Sequence, residues 1–305
     1  LHAKGEASNP NAPKKEVGQN LNFIKQMKKY LFSAFVFLFT VSACNQSNEV
    51  TPTDNFSKEI AQLKTMHKEG LYLASSAFKK NLTINSTNDL ALNEKGMVSD
   101  VLNGLNGTHF TASGDFVASL SSNFGTKNLS GSSNANLSQF YDESQLQLVQ
   151  PFLDELLTTD DFVKARNLAS NFQSKVIASK LVRDEKIKLL SLSASVQALS
   201  EFIEEGGDDS IRQTLSQLKD TNGIPNARVA GCSVNWGDVW MGAVVGGAVG
   251  AVGGCYAGAT AGTVTFPGVG TVTGCVSAGV IGGAGGFASG AAQGIVSGLL
   301  RTCFK

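Results

Sequence analysis

The chain has 305 residues, with 25 basic and 25 acidic side chains, 33 glycines, six prolines and five cysteines. Its 42% apolar content excludes a disordered charged tail and a multi-span transporter, and its balanced charge excludes a nucleic-acid groove, which needs a basic stripe to release counterions. The averages conceal an asymmetry: residues 229–305 hold 21 of the glycines, four of the cysteines and only three charges, Asp238, Arg301 and Lys305.

In chain order, residues 1–26 contain Asn9-Pro10-Asn11-Ala12-Pro13, a composition that predicts no packed element. They precede Met27 and read as an over-extended gene start. Residues 27–43 then have the layout of an export signal. Lys28 and Lys29 follow Met27, an apolar run extends from Tyr30 to Val41, and small residues lead to Cys44. The run is too short to be a stable transmembrane helix. Val41-Ser42-Ala43-Cys44 resembles the lipobox of bacterial lipoproteins. That resemblance implies an acylated Cys44 as first mature residue, and a chain exported and lipid-anchored to the cell envelope. With Asn45 rather than Asp in second place, it implies the outer membrane. Residues 44–54 form a polar tether. From Cys44 onward 19 basic and 23 acidic residues remain, a net charge of −4.

Residues 55–220 have helical periodicity and are expected to form a small bundle. Phe56, Ile60 and Leu63 share one face; Leu92, Val98, Val101, Leu102 and Leu105 mark a second helix, with Asn88 and Asp89 as its caps. Residues 106–140, rich in Gly, Ser, Asn and Thr, read as a flexible connection. Leu146, Val149, Leu153, Leu156 and Leu157 form the next stripe. Phe162, Ala165, Ala169, Phe172 and Val176 follow, capped by Asp160 or Asp161. A helix over about 182–205 is apolar on two faces, reads as the central helix, and is stopped by Gly206-Gly207. Asp208 or Asp209 opens a short last helix carrying Ile211, Leu215 and Leu218, and 221–231 is a linker. Short loops favour antiparallel neighbours.

This region offers no catalytic site. After Cys44 the chain has two histidines, His67 and His109, and no cysteine lies between 45 and 231, so no Cys/His metal spacing exists. The acidic pairs Asp160-Asp161, Glu204-Glu205 and Asp208-Asp209 fall at helix ends, where capping and the helix dipole account for them. An enzyme, a cofactor, a metal, a nucleic-acid partner and a small-molecule substrate are all unexpected.

The tail, 232–305, carries the stronger signal. Val239 to Leu300 is 62 residues without a charge. Glycines recur every fourth residue at Gly242, Gly246, Gly250, Gly254, Gly258 and Gly262. The register resumes at Gly270 and Gly274, skips at Ala278, and runs through Gly282, Gly286, Gly290, Gly294 and Gly298. A four-residue repeat stacks glycines on one helix face and lets two backbones approach, the small-xxx-small packing of membrane helices. Either segment, 239–262 or 274–300, exceeds the roughly 30 Å of a bilayer core at 1.5 Å per residue. In water each glycine weakens a helix by up to about 1 kcal/mol relative to Ala. A packed pair is therefore the expected unit, with self-association through the same face.

The cysteines fit a hairpin. Cys255 and Cys275 straddle one turn, as do Cys232 and Cys303, and Pro267-Gly268 suits its centre. Of three connectivities, nested 255–275 and 232–303 is the one an antiparallel hairpin permits directly. Thr263-Val264-Thr265 and Thr271-Val272-Thr273 can pair as a short β-hairpin at the apex. The predicted class is thus all-α, a small helical bundle followed by a Gly-rich helical hairpin.

The run Cys232-Ser-Val-Asn-Trp236-Gly-Asp-Val-Trp240, then GAVVGGAVGAVGGC, FPGVGTVTGC and GGAGG, resembles the glycine-zipper peptides of class II bacteriocins. The resemblance covers roughly the last 75 residues. It implies secretion, insertion into a lipid bilayer as helix pairs, and permeabilisation of target cells. Two features depart from it: a helical domain stands where those peptides have a short leader, and the tail is only weakly cationic. Envelope lipoproteins with a two-helix glycine zipper are a second similar family, structural rather than toxic. Trp236 and Trp240 are expected at a membrane interface, or capping the hairpin's own packing.

Overall fold

The computed structural model describes residues 56–84, 90–112, 114–123, 141–159, 161–222, 236–261, 264–266, 270–272 and 274–303. Its elements, in order, are α1 (Ser57–Asn81), β1 (Leu82–Ile84), β2 (Leu90–Leu92), α2 (Glu94–Leu105), α3 (Gly114–Asn123), α4 (Glu143–Leu156), α5 (Phe162–Ala178), α6 (Arg183–Glu204), α7 (Asp209–Asn222), α8 (Trp236–Ala261), β3 (Val264–Phe266), β4 (Gly270–Val272) and α9 (Gly274–Cys303). The protein is all-α; among the described residues the strands form two ribbons, β1 with β2 and β3 with β4, each three residues a side.

The helix starts follow local chemistry. Asn93, not Asn88 or Asp89, caps α2 by accepting from the Gly96 amide, because Leu90–Leu92 is tied up in the first ribbon. Asp142 caps α4 by accepting from the Gln145 backbone amide at 2.9 Å, and its other carboxylate oxygen accepts from the Gln145 side-chain amide at 2.8 Å. Asp161 caps α5, accepting from Val163 N at 2.7 Å. At the far end of α6 the chain turns at Gly206, φ 73°, a left-handed conformation that glycine adopts without a Cβ penalty. The Gly206 and Gly207 amides then satisfy carbonyls of Ile203 and Phe202. The expected stop at Gly206-Gly207 has this origin.

The connection 106–140 is not featureless: α3 lies within it, and Phe116, Val117 and Leu120 are buried. The part from 124 to 140 lies outside the described residues. Within the bundle α6 is central as expected, buried on two faces and packed against α1, α4, α5 and α9. A second centre, not expected, is α9, which packs against α1, α2, α6 and α8. Between Val276 and Gly298 only Val276, Gly283, Gln293 and Ser297 escape full burial.

The hairpin therefore does not stand apart from the helical region. One hydrophobic core runs from Phe56 through the bundle helices to Val296. The expected boundary between 55–220 and 232–305 divides the sequence by composition, while both parts fold into one unit. At Gly70 of α1 an added Cβ would touch Val101 and Leu105 of α2 and Ala288 of α9, each within 3.7 Å. Three helices converge there. On α2, Leu102 and Val98 pack over Gly285 of α9.

Candidate functional site

The hairpin α8–α9 is the most unusual feature. Its two glycine stripes face each other. A Cβ at Gly242 would fall on the carbonyl oxygen of Gly290; one at Gly246, on that of Gly286; one at Gly282, on that of Gly250. A Cβ at Gly254 would meet the Ala278 carbonyl, and one at Gly294 would lie 2.6 Å from the Val239 Cα. The pairs 242–290, 246–286, 250–282 and 254–278 are all equidistant from residue 266. The gap at Ala278 is absorbed because it is Gly254 that gives way there. Backbone touches backbone for the length of the contact, which only glycine allows.

Past the described part of α8, the pattern continues in sequence through Gly258 and Gly262, but the side-chain surroundings there lie outside the description. Gly274 opens α9, and Gly298 is buried near its end. At the apex, Val264 pairs with Val272, Thr265 with Thr271 and Phe266 with Gly270; residues 267–269, including Pro267-Gly268, are outside the described set. Cys255 takes part in a disulfide. Cys232 and the side chains of Cys275 and Cys303 are outside the described residues, so the nested pairing stays a proposal. Cys44 and the signal segment are likewise outside them.

The tryptophans occupy different surroundings. Trp240 is 1% exposed, and its Nε1 has no hydrogen-bond partner among the described residues. Trp236 is half-buried, edge-on to Phe162 of α5 with ring centroids 6.2 Å apart. In this conformation neither stands free as an interfacial anchor. The outer face of α8 is only partly covered, leaving Met241, Val245 and Val249 half-buried. The stretch Trp236–Cys255 is long and apolar enough to cross a membrane, with mean hydropathy 1.3, and about half of it (53%) is buried.

Around the hairpin, the amphipathic helices form a sheath held to itself by polar contacts. Lys64 reaches Glu201 at 2.8 Å, Lys68 and Tyr72 bind Glu205 at 2.6 and 2.8 Å, and Arg183 meets Glu59 at 3.0 Å. These pairs tie α1 to α6. Arg166 makes a two-pronged pair with Glu204, joining α5 to α6.

Where sheath meets hairpin there is a polar seam. His67, on the apolar face of α1, is 3% exposed. Its Nε2 lies 2.9 Å from the Ser191 Oγ of α6, its Nδ1 has no partner among the described residues, and its ring stands edge-on to Phe287 of α9 at 5.9 Å. Beside it a cavity of about 40 Å³, room for about two waters, is lined by Tyr141, Lys188 and Ser195 on the sheath side. The opposite wall, with Val244, Gly247, Ala251, Gly283 and Phe287, is apolar. Burial alone pushes the His67 pKa down to about 3. Burial also lowers Lys188, against the pull of Asp142 and Glu185, and raises the Tyr141 phenol.

Sequence reasoning passed over this seam. The available signal was a histidine inside the stripe Ile60, Leu63, Met66, His67, Gly70, Leu71, Ala74, where an apolar residue is ordinary. Among the described residues no cluster of His, Cys, Asp or Glu is arranged to hold a metal. Comparison with protein-family models, curated proteins and solved structures finds no match, so the site is read from its own residues.

Proposed function

We propose that this protein is a non-enzymatic bacterial envelope lipoprotein, anchored through Cys44, that carries a membrane-active glycine-zipper hairpin folded inside a helical sheath. On reaching a bilayer, α8 and α9 leave the sheath as a pair and permeabilise it, in the manner of a bacteriocin. The observation that carries this reading is the 62-residue uncharged stretch Val239–Leu300, folded as two helices of 26 and 30 residues over its uncharged part and flanks. At 1.5 Å per residue both exceed a bilayer core of about 30 Å.

Two further features support it. Glycine contact between α8 and α9 needs no water-driven burial, so the pair keeps its packing in lipid. The buried, unpartnered Trp240 N–H is a cost of about 1–3 kcal/mol in the folded chain that disappears at a headgroup interface. A structural lipoprotein that oligomerises through its zipper is the other reading. It is less favoured because the glycine faces of α8 and α9 are already occupied by each other.

Dye release from anionic and zwitterionic liposomes, on adding the full oxidised chain, tests the proposal. Leakage at low protein-to-lipid ratio is the expected result. Binding without leakage returns the structural reading, and absence of binding removes both. Mass analysis is expected to find acyl mass on Cys44, and peptide mapping to link Cys255 with Cys275; a Cys232–Cys255 peptide would refute the nested hairpin.

A further inference from the structure

We propose that His67 is an acid-sensitive latch: when its ring takes up a proton, the seam between sheath and hairpin opens and α8–α9 is released. What the freed hairpin then does rests on the function proposed above, but the opening itself does not.

The geometry leaves the protonated ring no place in the closed fold. A neutral imidazole is satisfied at Nε2 by Ser191, while its second nitrogen has no partner among the described residues, and the ring lines a small cavity with one apolar wall. A cationic ring has two donors to satisfy and a charge to solvate, in a seam whose far wall carries no charge because Val239–Leu300 has none. The titratable groups lining the cavity with it are Lys188, also a cation, and Tyr141, a neutral phenol. Carboxylates on the surrounding elements are engaged elsewhere: Glu201 of α6 with Lys64 and Lys68, Glu69 of α1 with His109, and Asp100 of α2 with Lys80. The two that act on Lys188, Asp142 and Glu185, accept from Ser144 and Gln145 and from the Val182 amide respectively. The route to solvation is separation of α1 and α6 from Phe287, one of the contacts that cover the hairpin, beside those of Val98 and Leu102 of α2 over Gly285.

The fold also supplies the reporter. Trp236 and Trp240 are the only tryptophans in the chain, and both lie on α8. Their emission therefore follows the hairpin alone. The only other histidine after Cys44, His109, is paired with Glu69 of α1 at 2.6 Å, does not line the cavity and serves as a control.

The experiment takes the full chain from pH 7.5 to 4 without lipid, following tryptophan emission and proteolysis within α8–α9, beside His67→Phe, His67→Gln and His109→Asn. The expected result is a red shift and new cleavage as pH falls below about 6.5, the ordinary histidine range. Either His67 variant moves the midpoint at least one pH unit lower, and His109→Asn leaves it in place. An unchanged midpoint in a folded His67 variant overturns the latch. Should neither variant fold, the NMR titration of the His67 ring in the unaltered chain decides: it must coincide with the emission change, and a mismatch overturns the proposal. Dye release from anionic vesicles at pH 7.5 and 5 separates the two readings. Opening without leakage leaves the latch and removes permeabilisation. Equal leakage at both pH values with no emission change keeps permeabilisation and removes the latch.

Discussion

The sheath and the hairpin solve the same packing problem with opposite means. In α1 and α6, large apolar residues such as Leu63, Met66, Leu189 and Leu190 fill the interior, while Lys64, Lys68, Glu201 and Glu205 bind the two helices from outside. In α8 and α9 the inner faces are glycine and alanine, backbone lies on backbone, and no side chain from Val239 to Leu300 can form an ion pair. The sheath needs water to drive it together. The hairpin does not, since close van der Waals contact persists in lipid. One fold thus joins helices held by large apolar side chains and ion pairs to a pair held by contact between backbones.

The comparison breaks most directly at the glycine contact. Gly246→Leu or Gly290→Leu places a side chain on the facing carbonyl oxygen, so α8 and α9 must separate. The expected loss is at least about 3 kcal/mol, or failure to fold, read by urea denaturation; overpacking of an ordinary core costs typically about 1–3 kcal/mol. A tolerated leucine would mean that the two helices do not need this approach.

Leu102→Ala removes a fully buried side chain that covers Gly285, with an expected cost of about 2–5 kcal/mol. This variant also sharpens the comparison. Circular dichroism, dominated by all the helices, and tryptophan emission, confined to α8, should shift together if sheath and hairpin form one cooperative unit. Separate transitions would show that the hairpin can leave first.

The pH dependence comes next. His67 is lowered by burial from 6.5 to about 3. Above pH 6.5 it is neutral whether folded or unfolded and contributes no slope. Between 6.5 and 3 the unfolded chain binds a proton that the folded chain refuses, so stability falls as pH falls and levels off below 3. A denaturation series from pH 7.5 to 4 should show this decline, by a few kcal/mol, and His67→Phe should flatten it.

The smallest effect is expected on the outside of the sheath. Lys64→Met breaks a pair with Glu201 whose side chains are 33% and 25% exposed, and such pairs contribute about 0–1 kcal/mol in water. A shift in thermal midpoint of more than a few degrees would mean that the ion pairs between α1 and α6 hold the sheath closed to a degree that surface pairs do not.

Much of this was legible in the residues because it depends on local periodicity. The span of α6 and the facing glycine registers follow from spacings of three and four residues, while the stop at Gly206-Gly207 and a cap at Asp160 or Asp161, which the fold gives to Asp161, follow from residue chemistry. The helix α3 was missed because its apolar content, Phe116, Val117 and Leu120, is short and surrounded by turn-forming residues. The cap of α2 was misplaced because Leu90–Leu92 joins a ribbon rather than a helix, a choice made by pairing with Leu82–Ile84.

The sequence by itself determined that two charge-free, glycine-striped segments can approach each other backbone to backbone. It also determined that the region before it is built of amphipathic helices. Only the tertiary structure decided that those helices close around the hairpin and that α9 becomes a second centre of the core. Each amphipathic stripe specifies that an apolar face must be covered, but not by what, and glycine and alanine surfaces fit many partners. The same indifference hid His67: its position in a stripe is local, while the cation-hostile seam around it is assembled from α1, α6, α8 and α9, distant in sequence and joined only when folded.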